Sequence, residues 1–236
     1  MSIGTEQDLS IPASTGNQKI LSDAQVASIR AWWRRTLLGP VRVQLYVDGA
    51  GCEPCEVTAR VLQQLQQAST HLSVNVSLAR AARTASDPLD KLPEVRVFTR
   101  SGNAIRFYGT QVGVEVTSLV QTIADASLAH SPLPADLARR ARELPEGSWL
   151  RVFVGPACTH CPGAVRAAVA VAVADPKLHV EVVQTADFPE LGRRFRITAV
   201  PTTVVNGRVF FQEPRTPAQV LEALRAAPLA GQAAPE

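Results

Sequence analysis

Two rhythms of apolar residues organise this chain. Residues 41–47 alternate apolar and polar, with Val41, Val43, Leu45 and Val47 set against Arg42 and Gln44, which predicts a strand. In 57–68 the apolar residues Val61, Leu62 and Leu65 fall at helical spacing. Alternation returns over 72–78, and short strands are predicted at 95–99 and 104–108 with a tight turn at Ser101-Gly102-Asn103 between them. Residues 114–126 predict a helix. An earlier helix begins at Ser22, a good N-cap, and runs through Ile29, Trp32 and Trp33 until Gly39-Pro40 stops it near Leu38. The paired tryptophans read as packing residues.

The same order recurs further on. Strands are predicted at 149–154 and 178–184, with an Ala/Val-rich helix at 163–174 between them and a helix at 188–195 after them. Strand 202–205 runs into Asn206-Gly207, the strongest short hairpin signal, and returns over 208–212. The final helix, 216–227, has Pro217 in its first turn. Each half therefore reads βαβα-ββα. The expected organisation is a mobile tail at 1–18, a first unit at 19–128, a connector with a short Arg-rich helix at 129–147, a second unit at 148–228, and a tail at 229–236.

Composition narrows the picture only modestly. With 236 residues, 46% of them hydrophobic and 19% charged, the chain is globular in character. A net charge of +3 argues against a nucleic-acid partner. The arginines are scattered, as in Arg139, Arg140 and Arg142 or Arg193, Arg194 and Arg196, and read as solvated helix faces. Residues 1–20 lack the basic-then-apolar order of a secretory signal, and no apolar run approaches the ~18 residues of a membrane span. The expectation is a cytoplasmic protein with no membrane partner. In that reducing setting paired cysteines are more often catalytic or metal-binding than structural.

All four cysteines sit in Cys-x-x-Cys pairs, Cys52-Glu53-Pro54-Cys55 and Cys158-Thr159-His160-Cys161. The second pair follows the first by 106 positions, and Pro201 follows Pro93 by 108, so the landmarks repeat in register. Each pair lies between a strand and a helix start, where unpaired N–H groups and the helix dipole favour a thiolate. The first cysteine of each pair, Cys52 or Cys158, is therefore the expected nucleophile, and Cys55 and Cys161 the resolving thiols. Four sulfurs could instead bind zinc, but 102 residues separate Cys55 from Cys158 and each pair has its own strand, helix and proline. No metal is expected; His71, His130 and His179 have no partner at ligand spacing.

With those residues in hand, the chain from about 41 to 227 resembles the two-unit protein disulfide oxidoreductases, the glutaredoxin-like proteins of thermophilic prokaryotes built on the thioredoxin fold. Ile105-Arg106-Phe107-Tyr108-Gly109, Val152 through Pro162, Ala199-Val200-Pro201 and the Asn206-Gly207 turn carry the resemblance. It implies an α/β fold of two tandem thioredoxin-fold units, each a central mixed four-stranded sheet flanked by helices, packed as a pair. It also implies that the proline before each third strand is cis and lies against the dithiol. Leu92-Pro93 and Val200-Pro201 would then be the places where substrate backbone pairs. Glu94 puts a charge after the first proline, where a small or apolar residue is usual, which makes the Cys158 site the better-formed one. Thioredoxins carry a buried acid six positions before the first cysteine. Tyr46 and Val152 stand there in this chain, and Asp48 is nearby, on the same face of the strand as Tyr46 and farther along.

The intervening residues are expected to tune the two sites. His160, beside Thr159, puts a cation near the Cys158 thiolate and would make that disulfide the stronger oxidant. Glu53 does the reverse at Cys52, and Pro54 stiffens a turn similar to that of the reducing thioredoxins. The expected activity is thiol–disulfide exchange on protein disulfides. It needs no bound cofactor beyond the redox-active cysteines, with electrons coming from an external NADPH-dependent, thioredoxin-reductase-like flavoprotein. The alternative is an electron relay from such a reductase to a peroxiredoxin.

Overall fold

The computed structural model describes residues 19–48, 51–78, 93–227 and 229. Helix α1 (Asp23–Thr36) starts at Ser22, whose side chain accepts from the N–H of Gln25 while Gln25 caps Ser22 in return. The first unit follows as β1 (Val41–Val47), α2 (Glu53–Gln66), β2 (Leu72–Leu78), β3 (Glu94–Phe98), β4 (Ala104–Tyr108) and α3 (Glu115–Ala126). A short α4 (Ala135–Arg142) connects it to β5 (Trp149–Val154), α5 (Cys161–Ala174), β6 (His179–Gln184), α6 (Pro189–Arg194), β7 (Thr202–Val205), β8 (Arg208–Phe211) and α7 (Pro217–Ala226). The helix expected between the second and third strands of the first unit falls in 79–92, outside the described residues.

The two units share one sheet of eight strands in the order β2-β1-β3-β4-β6-β5-β7-β8. Within each unit the pattern is that of a thioredoxin fold: a parallel pair, β1 with β2 or β5 with β6, and an antiparallel third and fourth strand. The join is a parallel pairing of β4 with β6, from Ile105 opposite Val180 to Tyr108 opposite Val183. Each unit hides the exposed edge of the other, which removes two free rows of backbone donors and acceptors.

One face of this sheet makes the main core. Val43, Leu45, Val95, Val97, Ile105, Phe107, Leu150 and Val152 are fully buried there. Helices α2, α3, α5 and α7 supply Leu62, Leu65, Leu119, Ile123, Val169 and Leu221 to the same cluster. Helix α5 is buried nearly all round, which is why its Ala/Val sequence shows so little polar face. The other face carries aromatic and charged residues by strand alternation: Arg42 stacks over Phe98 at 3.5 Å and Arg96 over Tyr46 at 4.4 Å. Among the described residues no helix is long and apolar enough to cross a membrane.

This topology fixes where the cysteines stand. Following the pairings from β1 through β3, β4 and β6, β1 and β5 run in the same direction. Both Cys-x-x-Cys pairs therefore leave the sheet at the same edge. Four strand spacings lie between β1 and β5, about 19 Å across a flat sheet.

Candidate functional site

At the first site the helix begins earlier than periodicity predicted, at Glu53 rather than 57. The first turn, Glu53-Pro54-Cys55-Glu56, has no apolar spacing to betray it, yet proline in the first turn is well suited to a helix start. Cys52 is the N-cap, and its Sγ accepts the N–H of Cys55 at 3.2 Å. Cys52 is half-buried, whereas Cys55 is buried within the helix. The two are disulfide-bonded. Glu53 is exposed.

Leu92 lies outside the described residues. Pro93 is buried, and its carbonyl accepts the N–H of Gly109 at 2.9 Å. The charge that follows it is not loose: Glu94 is 2% exposed in β3 and bonded to the Arg96 Nε at 2.6 Å. Tyr46 lies on the sheet face away from the core, beneath Arg96, and Asp48 is exposed beyond the strand.

At the second site Cys158 is half-buried, Cys161 is fully buried, and the pair is disulfide-bonded. Thr159 and His160 are exposed. Here the expectation that the first cysteine sits at the helix start needs correcting. Helix α5 begins at Cys161, with His160 as its N-cap and no side-chain capping bond. Cys158 lies in the tight turn before it: the Cys158 N–H donates to Gly155 O at 3.0 Å, and the Cys161 N–H to Cys158 O at 3.2 Å. A three-residue spacing closes a tighter ring than an α-turn. Among the described residues no backbone N–H bonds to Cys158 Sγ, in contrast with Cys52.

The proline of the second site stands where the resemblance implies. The Val200–Pro201 peptide is cis and Pro201 is buried. A Cβ on Gly155 would come within 3.2 Å of Val200 Cγ2, so Val200 leans on the loop that carries Cys158. The Asn206-Gly207 turn has φ of +47° and +92°, both positive as a type I′ hairpin requires. Val152 is fully buried and apolar.

A buried carboxylate at the start of α3 went unforeseen. Glu115, in the first turn of α3, is 1% exposed; its oxygens make no hydrogen bond of normal length among the described residues, and the Ser118 hydroxyl is the side chain that favours its ionised form. Burial pushes its carboxyl up to about 7. The neighbouring Val114 N–H donates to Pro156 O at 3.1 Å, which ties this end of α3 to the loop before Cys158. The signal was present in the sequence: Leu119 and Ile123 follow Glu115 at spacings of four and eight, placing a charge on the apolar face of its helix. Farther along the seam, Asp125 meets Arg166 of α5 at 3.4 Å, and burial raises its carboxyl against the pull of that guanidinium.

The same connector also reaches the first site. Gln111, buried, donates its backbone N–H to Thr58 Oγ1 at 3.2 Å, and Thr58 lies one turn beyond Cys55. Residues 111–114 thus touch the helix of one dithiol and the loop of the other.

Comparison with known proteins accords with this geometry. A family model described as "Thioredoxin domain" matches residues 150–221. The thioredoxin of Methanocaldococcus jannaschii is 35% identical over 77 residues, which make up 32% of this chain and 91% of that protein. The alkyl hydroperoxide reductase AhpF of Xanthomonas campestris pv. phaseoli is 28% identical over 121 residues, covering 51% of this chain and 23% of that protein. The chain thus spans about a quarter of the length of that relative. Among solved structures, AhpF of Enterococcus faecalis (C503A mutant) superposes with a TM-score of 0.76 at 26% identity, over 87% of this chain and 99% of that one. A protein disulfide oxidoreductase of Aeropyrum pernix has the same fold, with a TM-score of 0.76 at 23% identity, over 86% of this chain and 92% of that one. The chain belongs to the thioredoxin family, as a dithiol–disulfide redox protein of two thioredoxin-fold units, each with its own Cys-x-x-Cys pair.

Proposed function

We propose that the protein is a dithiol–disulfide oxidoreductase acting on protein disulfides through both sites. One observation carries this reading: in each pair the first cysteine is half-exposed and the second is buried beneath it. The Cys158 thiolate attacks one sulfur of a target disulfide, and the other target sulfur leaves as a thiolate and takes up a proton. Cys161, deprotonated, then attacks Cys158 Sγ, releasing the target as a dithiol and leaving the protein oxidised by two electrons. Cys52 and Cys55 take the same roles at the first site. An external dithiol or reductase returns the electrons; run in reverse, the same steps form target disulfides.

Glu115 fits the proton acceptor that the second site needs. Burial has moved its ionisation up to about 7, and Val114, the residue before it, is bonded to the Cys158 loop.

Insulin reduction driven by dithiothreitol tests the reading. The wild type is expected to accelerate it, Cys158→Ser to lose most of that acceleration, Cys161→Ser to trap mixed disulfides on Cys158, and the fourfold Cys→Ser variant to be inert. Equal rates for the wild type and the fourfold variant would reject it.

The likeness to the alkyl hydroperoxide reductase AhpF supports a second reading, an electron relay from a flavoprotein reductase to a peroxiredoxin. NADPH oxidation in the presence of a thioredoxin reductase, with either insulin or peroxide plus a peroxiredoxin as acceptor, separates the two.

A further inference from the structure

Beside the second dithiol lies an open cleft of about 620 Å³ between α6 and the chain that leads to Pro201. Thr185 and Val200 wall its inner end. Both also approach Gly155, whose carbonyl accepts the Cys158 N–H. The cleft therefore opens from the loop on which the nucleophile is mounted. Its outer rim carries Arg193 and Arg196, both exposed.

The backbone at Arg196 argues for more than a solvated surface. Helix α6 ends in a Schellman motif: the Ile197 N–H donates to Gly192 O at 2.8 Å and the Arg196 N–H to Arg193 O at 3.0 Å. Arg196 is the residue of that motif in the left-handed region, at φ +50°. Glycine usually fills the left-handed position of this motif because a Cβ there costs about 1–2 kcal/mol. An arginine is thus held in an unfavourable conformation at the rim of a cleft, and such outliers cluster where a side chain is used.

No carboxylate among the described residues employs these two cations. Among the described residues neither Arg193 nor Arg196 forms an ion pair. The carboxylate of Asp187 accepts the Thr110 N–H at 2.6 Å. Glu190, on the first turn of α6, does not line the cleft.

We propose that this cleft seats the polypeptide flanking a target disulfide, and that Arg193 and Arg196 select targets with acidic side chains beside the reacting cysteine. The inference rests on the oxidoreductase reading of Cys158 above. Complementary charge at such a rim acts on encounter and register more than on final affinity, so the preference is modest and sensitive to salt.

The test uses the full chain with Cys52→Ser and Cys55→Ser, so that only the Cys158 site reports. The pre-reduced protein is mixed with two disulfide-bonded peptides that are identical except for Glu or Gln at the positions flanking cysteine. Second-order rates for the Glu peptide are expected to exceed those for the Gln peptide about three- to tenfold at low ionic strength, with the ratio approaching one in 0.5 M salt. Arg196→Gly places the preferred residue in the left-handed position, so its melting temperature should not fall while the ratio shrinks. Arg193→Gln with Arg196→Gly should abolish the ratio. Equal rates for both peptides in the parent protein, or an undiminished ratio in the double variant, overturns the proposal. Reaction with neither peptide overturns the oxidoreductase reading itself, and this inference with it.

Discussion

Val114 of the first unit donates its N–H to the carbonyl of Pro156 in the second, two residues before Cys158, at 3.1 Å. The contact needs Gly113 beside it. Gly113 has φ +61°, and a Cβ there would lie 2.5 Å from that same Pro156 oxygen. Gly113→Ala therefore sets a left-handed alanine against backbone that has no side chain to swing aside. The expected cost is about 2 kcal/mol or more, read as a lower urea midpoint. Because the clash is on the Cys158 loop, thiol exchange at that site should slow more than at Cys52. Equal slowing of the two sites would place the damage elsewhere.

Glu115 gives the protein a pH dependence of definite sign. Its carboxyl titrates at about 7 when folded against 4.5 as the ordinary value. Between those values the folded protein holds a proton that the unfolded chain has released, so stability falls as pH rises through that window. The penalty is absent below about pH 4.5 and complete above about 7, on the order of 3 kcal/mol. Glu115→Gln is expected to flatten the melting temperature across that window. Exchange at the Cys158 site should also lose an inflection near pH 7. A variant whose thermal pH profile matches the wild type would show that Glu115 is not the group responsible.

How much of this was legible beforehand depended on what each element buries. Strands β1, β2, β4, β5 and β7 were readable to the residue, β1 and β2 because period-two alternation reports a half-buried strand directly, and the others as short apolar runs bounded by turn and loop signals. The starts of α2 and α5 were not, because Glu53-Pro54-Cys55 and the turn Cys158-Thr159-His160 are shaped by capping and turn geometry, which leaves no apolar period. The joining of β4 to β6 was equally hidden: an apolar strand does not say which edge will meet it. The cis peptide at Val200-Pro201 followed from the family resemblance. Glu115 was legible in principle, as a charge in line with Leu119 and Ile123 on the apolar face of its helix, whereas Arg196 looks like an ordinary charge until its backbone φ is known.

The two dithiols should be closer in potential than their neighbouring charges suggest. His160 and Glu53 are both exposed, and exposed pairs contribute about 0.2–1 kcal/mol each. Together they favour the reduced form of the Cys158 pair. Against them stands the N–H of Cys55 on Cys52 Sγ, at 3.2 Å. A hydrogen bond to a charged group contributes about 1.5–3 kcal/mol and favours the Cys52 thiolate. The opposing contributions nearly cancel, so titration of the two single-site proteins against glutathione should give potentials within about 30 mV of each other. A Cys158 pair more oxidising by twice that amount would show that the flanking charges dominate.

Asn206 offers a last test, on the frame that holds the second site. Its Oδ1 accepts the Trp149 N–H at 2.9 Å and its Nδ2 donates to Ala227 O at 3.0 Å, so one side chain joins the hairpin to β5 and to the end of α7. It also sits at φ +47° and is 3% exposed. Asn206→Ala removes both bonds, strands a buried N–H and C=O, and puts alanine in a left-handed position, costing about 2–4 kcal/mol. Asn206→Gly loses the same bonds but tolerates the φ, so it should recover about 1 kcal/mol of that loss. Urea unfolding of the two variants separates the contributions. Identical midpoints for the glycine and alanine variants would mean that the turn imposes no conformational demand, and that the hydrogen bonds alone hold Asn206 in place.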